Sequence, residues 1–112
     1  MSKQESLERM AVAHAFSLAE CLSEEMIERG WTTEDVVRHM YTGRDPAMDL
    51  FCLDLLMCVQ DDRILINSVT FDGLTLAFGV DPDFFRNMDA AWRRAPKEVR
   101  EPFDPPEQIF GH

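Results

Sequence analysis

The group of side chains most suggestive of metal binding is His14 together with the three cysteines of the chain. His14 and Cys21 lie seven residues apart, so they share a face if that segment is helical, and Cys52 and Cys58 follow later. Zinc sites use closely paired ligands such as CxxC or HxxxH, and these spacings match neither pattern. We therefore predict no metal site and no cofactor, and interpret the cysteines as reduced, small core residues.

Catalytic side chains are equally hard to assemble. Acid–base catalysis needs a carboxylate in an apolar cleft, whereas the pairs Glu24–Glu28 and Asp61–Asp62 fall on predicted solvent-exposed faces. The serines have no His and Asp partners at a triad spacing. Only five glycines are present and none form a phosphate-binding loop. We predict no catalytic residues and therefore no enzyme.

Composition places this 112-residue chain among single globular domains, with 46% hydrophobic residues and a net charge of −10. That charge opposes contact with nucleic acid phosphates and anionic membranes, and favours either a basic partner or plain solubility. The N-terminus is charged from its third residue, and no apolar run approaches the roughly 20 residues of a membrane span. We expect a cytoplasmic protein without membrane contact.

Sequence signals divide the N-terminal part into two helices. Apolar residues recur at spacings of three and four over 3–29, which predicts either one long helix or a short helix followed by a second near Leu18. Gly30 ends this region as a left-handed residue. Thr32 is then predicted as the N-cap of the next helix, and Asp35 three residues later completes a capping box.

The third helix is predicted to open at Asp45 and Pro46 and to run to Val59, because proline is favoured at the first helical position. Its sequence is apolar on nearly every side, which is typical of a helix buried from most directions. We therefore expect its large side chains to be mostly buried: Leu50, Phe51, Leu53, Leu55 and Leu56. The stretch 63–69 is left open between extended and helical.

Two more helices complete an all-α, five-helix domain spanning residues 1–96. The fourth is predicted over residues 71–78, where Gly79 follows. The fifth is predicted to start with Asp81 as its N-cap and Pro82 as its first residue. It carries a stripe of apolar side chains that faces the core.

Residues 97–112 form a Pro-rich C-terminal tail, which we expect to lack regular structure. The tail either frays or packs over apolar surface near Trp92, on its own domain or on a second copy. Candidate contacts with a partner or a second copy are Trp92, Phe103, Ile109 and Phe110.

Two stretches carry a characteristic order of helix stops and caps. Residues 18–40, LAECLSEEMIERGWTTEDVVRHM, contain a helix, a Gly and a Thr that caps a second helix. Residues 74–92, LTLAFGVDPDFFRNMDAAW, contain a helix that stops at Gly before an Asp-Pro-Asp-Phe-Phe opening. Together they resemble the HigA-type antitoxins of the XRE, or lambda-repressor-like, family. The resemblance implies a five-helix, lambda-repressor-like helix-turn-helix domain, here with an N-terminal extension and the Pro-rich tail.

The segment in the place of that family's DNA-reading helix is DPAMDLFCLDLLMCVQDD, which is apolar and acidic. Residues 31–62 contain seven acidic and two basic residues, although phosphate contacts supply most non-specific DNA affinity. We therefore expect a small acidic regulatory protein that acts mainly through protein contacts. It would be antitoxin-like, or a phage-type inhibitor or DNA mimic, with a toxin, nuclease or regulatory complex as partner; a homodimer is left open. The alternative is an XRE-type DNA-binding regulator, with Arg38, Arg44 and Arg63 as candidate DNA contacts.

Overall fold

A computed structural model describes residues 17–58, 66–96, 98, 100 and 103–111. Within these ranges the chain has five α-helices and no strand: α1 Leu18–Arg29, α2 Thr33–Arg38, α3 Pro46–Cys58, α4 Ser68–Phe78 and α5 Phe84–Arg94. The tail adds a 3-10 turn, Glu107–Phe110. The predicted helical segment before Ser17, with His14, lies outside the described residues, as do 59–65, including Arg63.

Helix α1 begins and ends as predicted, and α2 begins as predicted, but α2 ends at Arg38 and not at the predicted Tyr41 to Gly43. Ser17 caps α1, so the helix that starts near Leu18 is confirmed. Gly30 ends α1 with φ 70°, in the left-handed region that a residue with a Cβ disfavours. Thr32 and Asp35 form the predicted capping box at α2, in which each side chain accepts a hydrogen bond from the other's backbone amide.

The start of α3 agrees with the prediction, whereas α4 begins earlier than predicted. Pro46 is the first residue of α3. Ile66 and Asn67 are not helical, and α4 begins at Ser68, three residues before the predicted start. The reason is an N-cap at Asn67, whose side chain accepts a hydrogen bond from the Thr70 amide at 2.9 Å.

The predicted start of α5 is wrong by two residues. The backbone carbonyl of Asp81 accepts a hydrogen bond from the Phe84 amide at 3.0 Å, so residues 81–83 form a turn. The residue that precedes the helix is Asp83, whose side chain makes no capping hydrogen bond. The Asp-Pro-Asp sequence therefore supplies a turn before the helix rather than its first turn.

The core lies where α1, α3, α4 and α5 meet. In the described part, α3 packs on α1, α2 and α4, while α5 packs on α1 and α4. The radius of gyration is 13.1 Å, which is that of a compact domain of about 100 residues. The largest fully buried apolar side chains come from every helix and from the tail: Phe85, Leu22, Met26, Met40, Leu53, Met57, Leu74, Ile109 and Val36.

Helix α3 is buried on one side rather than all round. Leu53 and Leu56 are buried as expected, and Leu50 and Leu55 are half-buried. The prediction is wrong for Phe51, which is 64% exposed. A helix of this length presents only one face to the helices it packs on, so apolarity on every side leaves some large side chains in solvent.

The tail is ordered against the domain in the part that the structure describes. The expectation that it lacks regular structure is wrong, because residues 107–110 form a 3-10 turn that packs on α1 and α2. Ile109 is 1% exposed, and the guanidinium of Arg100 lies 4.7 Å from the ring centroid of Trp92. The hypothesis that the tail packs across its own domain is confirmed for these residues.

Candidate interaction surface

An apolar ridge runs along the solvent side of α3. Met48 and Phe51 are 51% and 64% exposed, Leu55 is half-buried, and Cys58 is exposed. These four residues are separated by three, four and three positions, which places them on one side of a helix. We call Met48, Phe51, Leu55 and Cys58 the α3 stripe. Contiguous exposed apolar surface of this kind marks interaction sites in soluble proteins.

A shallow cavity of about 230 Å³ lies beside the stripe, between α2 and the first turns of α3. We call it the α2–α3 groove. Ala47 lines it and precedes Phe51 by one helical turn, so the groove and the stripe adjoin. The groove is lined by Glu34, Val37, Arg38, Pro46, Ala47 and Leu50.

Three carboxylates lie at the edge of this surface, those of Glu34, Asp45 and Asp54, and we call them the acidic rim. Glu34 and Asp45 are exposed, and Asp54 is half-buried on α3, one turn after Leu50. Burial raises the pKa of Asp54, a hydrogen bond from Thr33 lowers it, and the nearby charge of Glu34 raises it further. One carboxylate oxygen of Asp54, Oδ1, is buried without a hydrogen-bond partner.

The thiol at the end of the stripe shares this acidic environment. Burial raises the pKa of Cys58, and the charge of Asp54 raises it further. A thiol with a raised pKa stays protonated and is a poor nucleophile and metal ligand. Cys58 therefore contributes to the surface as an apolar side chain.

The arginine predicted to contact DNA from the α2–α3 connection is instead part of an internal network. Arg44 Nε donates a hydrogen bond to Asp49 Oδ1 at 2.7 Å, and Arg44 Nη2 lies 2.6 Å from the same oxygen. Nη2 also donates a hydrogen bond to Thr70 Oγ1 at 3.1 Å. The other carboxylate oxygen, Asp49 Oδ2, accepts a hydrogen bond from the Thr42 hydroxyl, and the two oxygens are 2.5 Å apart. These bonds tie the connection to α3 and α4, and the Asp49 side chain is only 5% exposed.

The other two candidate DNA contacts are not brought together with Arg44. The side chain of Arg38 is exposed, and its guanidinium forms an ion pair with Asp35 within α2. Arg63 lies outside the described residues. Arg86, on α5, donates a hydrogen bond to Asp72 Oδ1 at 2.7 Å and is likewise held in a contact within the chain.

The four candidate partner contacts occupy different environments. Trp92 is 7% exposed and Ile109 is buried, so both pack within the chain. Phe103 and Phe110 are half-buried against the core. The role of these four residues in contacts with a partner stays a prediction. Among the four, Phe103 and Phe110 are the two whose side chains are partly accessible to a partner.

The α3 stripe was missed because the sequence is apolar on both sides of the helix. The residue that distinguishes the sides is Asp49, which points inward, and the signal that could have shown this is Arg44 five residues earlier. Within the described part, no three His, Cys, Asp or Glu side chains are close enough to hold a metal ion. No helix in that part is long and apolar enough to cross a membrane.

No family model, curated protein or solved structure matches this chain. The resemblance to HigA-type proteins therefore has no support beyond the two sequence stretches themselves.

Proposed function

We propose that this chain is a small acidic regulatory protein that acts mainly by binding another protein through α3. The observation that carries the proposal is the α3 stripe, an exposed apolar ridge with no basic residue in it. An antitoxin-like module fits such an apolar ridge, and the carboxylates of Glu34, Asp45 and Asp54 beside it fit an inhibitor that mimics DNA towards a basic nuclease. In this interpretation the protein is a cytoplasmic binding module without catalytic activity, and its three cysteines are free thiols.

We further propose that the five helices are a degenerate lambda-repressor-like arrangement, in which α2 and α3 stand in the place of the helix-turn-helix pair. The order of elements and the capped, short α2 support this. The connection 39–45 has seven residues, which is longer than the three or four of a typical helix-turn-helix. An altered connection fits a pair of helices that no longer docks in a DNA groove.

Of the three candidate DNA contacts, the two within the described residues, Arg38 and Arg44, are both held in ion pairs. Phosphate contacts from Lys and Arg supply the sequence-independent part of DNA affinity, and base-reading side chains must be polar. On the outer side of α3 the structure presents Met48, Phe51 and Leu55 instead. Arg44 would have to leave Asp49 buried and uncompensated in order to reach a phosphate.

The test is a fluorescence-anisotropy titration of the full chain with duplex DNA from upstream of its own gene, at about 150 mM salt. We expect no binding tighter than about micromolar. The net charge of −10 and the ion pairs of Arg38 and Arg44 both weaken attraction to phosphates. A non-cognate duplex of equal length is the control. Nanomolar, salt-sensitive binding that prefers the upstream duplex would overturn the proposal and establish the DNA-binding alternative.

A further inference from the structure

We propose that the α2–α3 groove and the α3 stripe together bind one basic amphipathic helix of a partner protein. The inference rests on the proposed function and deepens it by naming the chemistry of the partner.

The shape of the surface fits a helix lying along α3. Met48, Phe51 and Leu55 follow at spacings of three and four, the spacing of the ridges that interlock when helices pack. The groove adjoins this ridge at Ala47 and offers a concave, largely apolar floor that includes Leu50. A helix that binds in this way presents apolar side chains at positions i, i+3, i+4 and i+7, and one of these side chains can enter the groove.

The rim of the surface selects a positively charged partner. Glu34 and Asp45 are exposed beside the groove, and Asp54 lies one turn beyond Leu50. Arg38 also lines the groove, but Asp35 neutralises its guanidinium in an ion pair. Lys or Arg side chains that flank the apolar anchors of a partner helix would therefore meet carboxylates along the rim.

The same charges oppose a second copy as the occupant. Each chain carries −10, and a symmetric contact through α3 would bring two acidic rims together. Like charges opposed across an interface are destabilising, and screening is incomplete within about 8 Å at physiological salt. Electrostatic interactions across the interface therefore stabilise a complex with a positively charged partner and destabilise a complex with a second copy.

The experiment measures binding of three fluorescein-labelled peptides of about 18 residues, or about five helical turns, to the full chain. One peptide has leucines on one helical face and lysines beside them. The second has the same composition in scrambled order, and the third carries glutamate in place of lysine. By fluorescence anisotropy at about 150 mM salt, we expect the basic amphipathic peptide to bind at least about tenfold more tightly than either control.

Two variants with the same added charge locate the site. Phe51→Asp should weaken binding of the basic amphipathic peptide by at least about tenfold, because it places a charge in the centre of the stripe. Leu76→Asp alters a side chain on α4 that is 62% exposed, and it should change the affinity by less than about twofold. Circular dichroism spectra and melting curves establish that both variants are folded.

Three results would overturn the inference: equal binding of the scrambled peptide, equal loss of affinity in Leu76→Asp, or a wild-type dimer that Phe51→Asp converts to a monomer in sedimentation. The first two leave the proposed function standing if the DNA titration is negative, whereas a dimer formed through Phe51 would also remove the observation that carries the proposed function. Tight binding to the upstream duplex would instead remove the proposed function, and with it the basis of this inference.

Discussion

At the scale of single residues, α3 buries a carboxylate and exposes a phenylalanine two positions later. Positions i and i+2 lie about 200° apart around a helix, so Asp49 and Phe51 necessarily face opposite sides. Burial of Asp49 is tolerated because Arg44 and Thr42, both in the α2–α3 connection, satisfy its carboxylate oxygens. The pair fixes which side of α3 faces inward, and thereby which side is left for a partner.

Arg44→Met tests the buried pair. The variant leaves the Asp49 carboxylate buried without its cation, and we expect the free energy of unfolding to fall by about 3 kcal/mol. Urea denaturation measures the change. Arg38→Met is the matched control, because its exposed ion pair with Asp35 should contribute less than about 1 kcal/mol. Equal effects of the two substitutions would contradict the assigned role of Arg44.

Asp54→Asn tests the electrostatics of the rim. The raised pKa means that the folded chain holds this proton more tightly than the unfolded chain, so the charged carboxylate lowers stability at neutral pH. We expect the variant to be more stable than the wild type at neutral pH. The difference should shrink as pH falls towards the ordinary carboxyl pKa of about 3.9, because protonation of Asp54 then removes the same charge.

Urea midpoints of wild type and variant, measured across that pH range, check this prediction. Glu24→Gln removes an exposed carboxylate on α1 and controls for the loss of one negative charge from an acidic chain. A difference for Asp54→Asn that stays constant or grows as pH falls would be inconsistent with a raised pKa.

At the scale of elements, helix ends that are set by local caps and glycines were predictable from the sequence. Which side of a helix is buried was not predictable for α3. Gly30 and the capping box of Thr32 specify their own backbone conformation, and α1 and α2 obey them. Asn67 is an equally local cap and could have been recognised. The orientation of α3 depends on contacts with Arg44 and with other helices, which no periodicity within a uniformly apolar helix can reveal.

Ile109→Ala tests whether the tail is an integral element. Ile109 is buried against α1 and α2 from the 3-10 turn. Truncating an isoleucine in the core typically costs about 2–5 kcal/mol, and we expect a value at the lower end because a terminal turn can adjust. Gln108→Ala in the same turn is the exposed control. A thermal or urea midpoint unchanged by Ile109→Ala would show that the turn is dispensable for stability.

At the scale of the whole molecule, the proposed interaction surface rests on two properties, the net negative charge of the chain and the exposure of apolar side chains on α3. A net charge of −10 is visible in the sequence, and it is the basis of the hypothesis that the chain does not bind phosphates. The position of the interaction surface was not visible, because predicting Phe51 as buried placed the exposed ridge in the core. The groove beside it forms only when α2 and α3 pack, so its residues are scattered in sequence over Glu34 to Leu50.

The most direct test of the central claim is photo-crosslinking inside cells with a benzophenone amino acid at position 51, compared with position 76. We predict a discrete protein adduct from position 51 and none from position 76, because Phe51 lies in the α3 stripe and Leu76 lies on α4. Peptide mass spectrometry of the adduct should place the crosslink in a basic helix of the partner. Crosslinking of position 51 to nucleic acid, or equal protein adducts from both positions, would contradict the account.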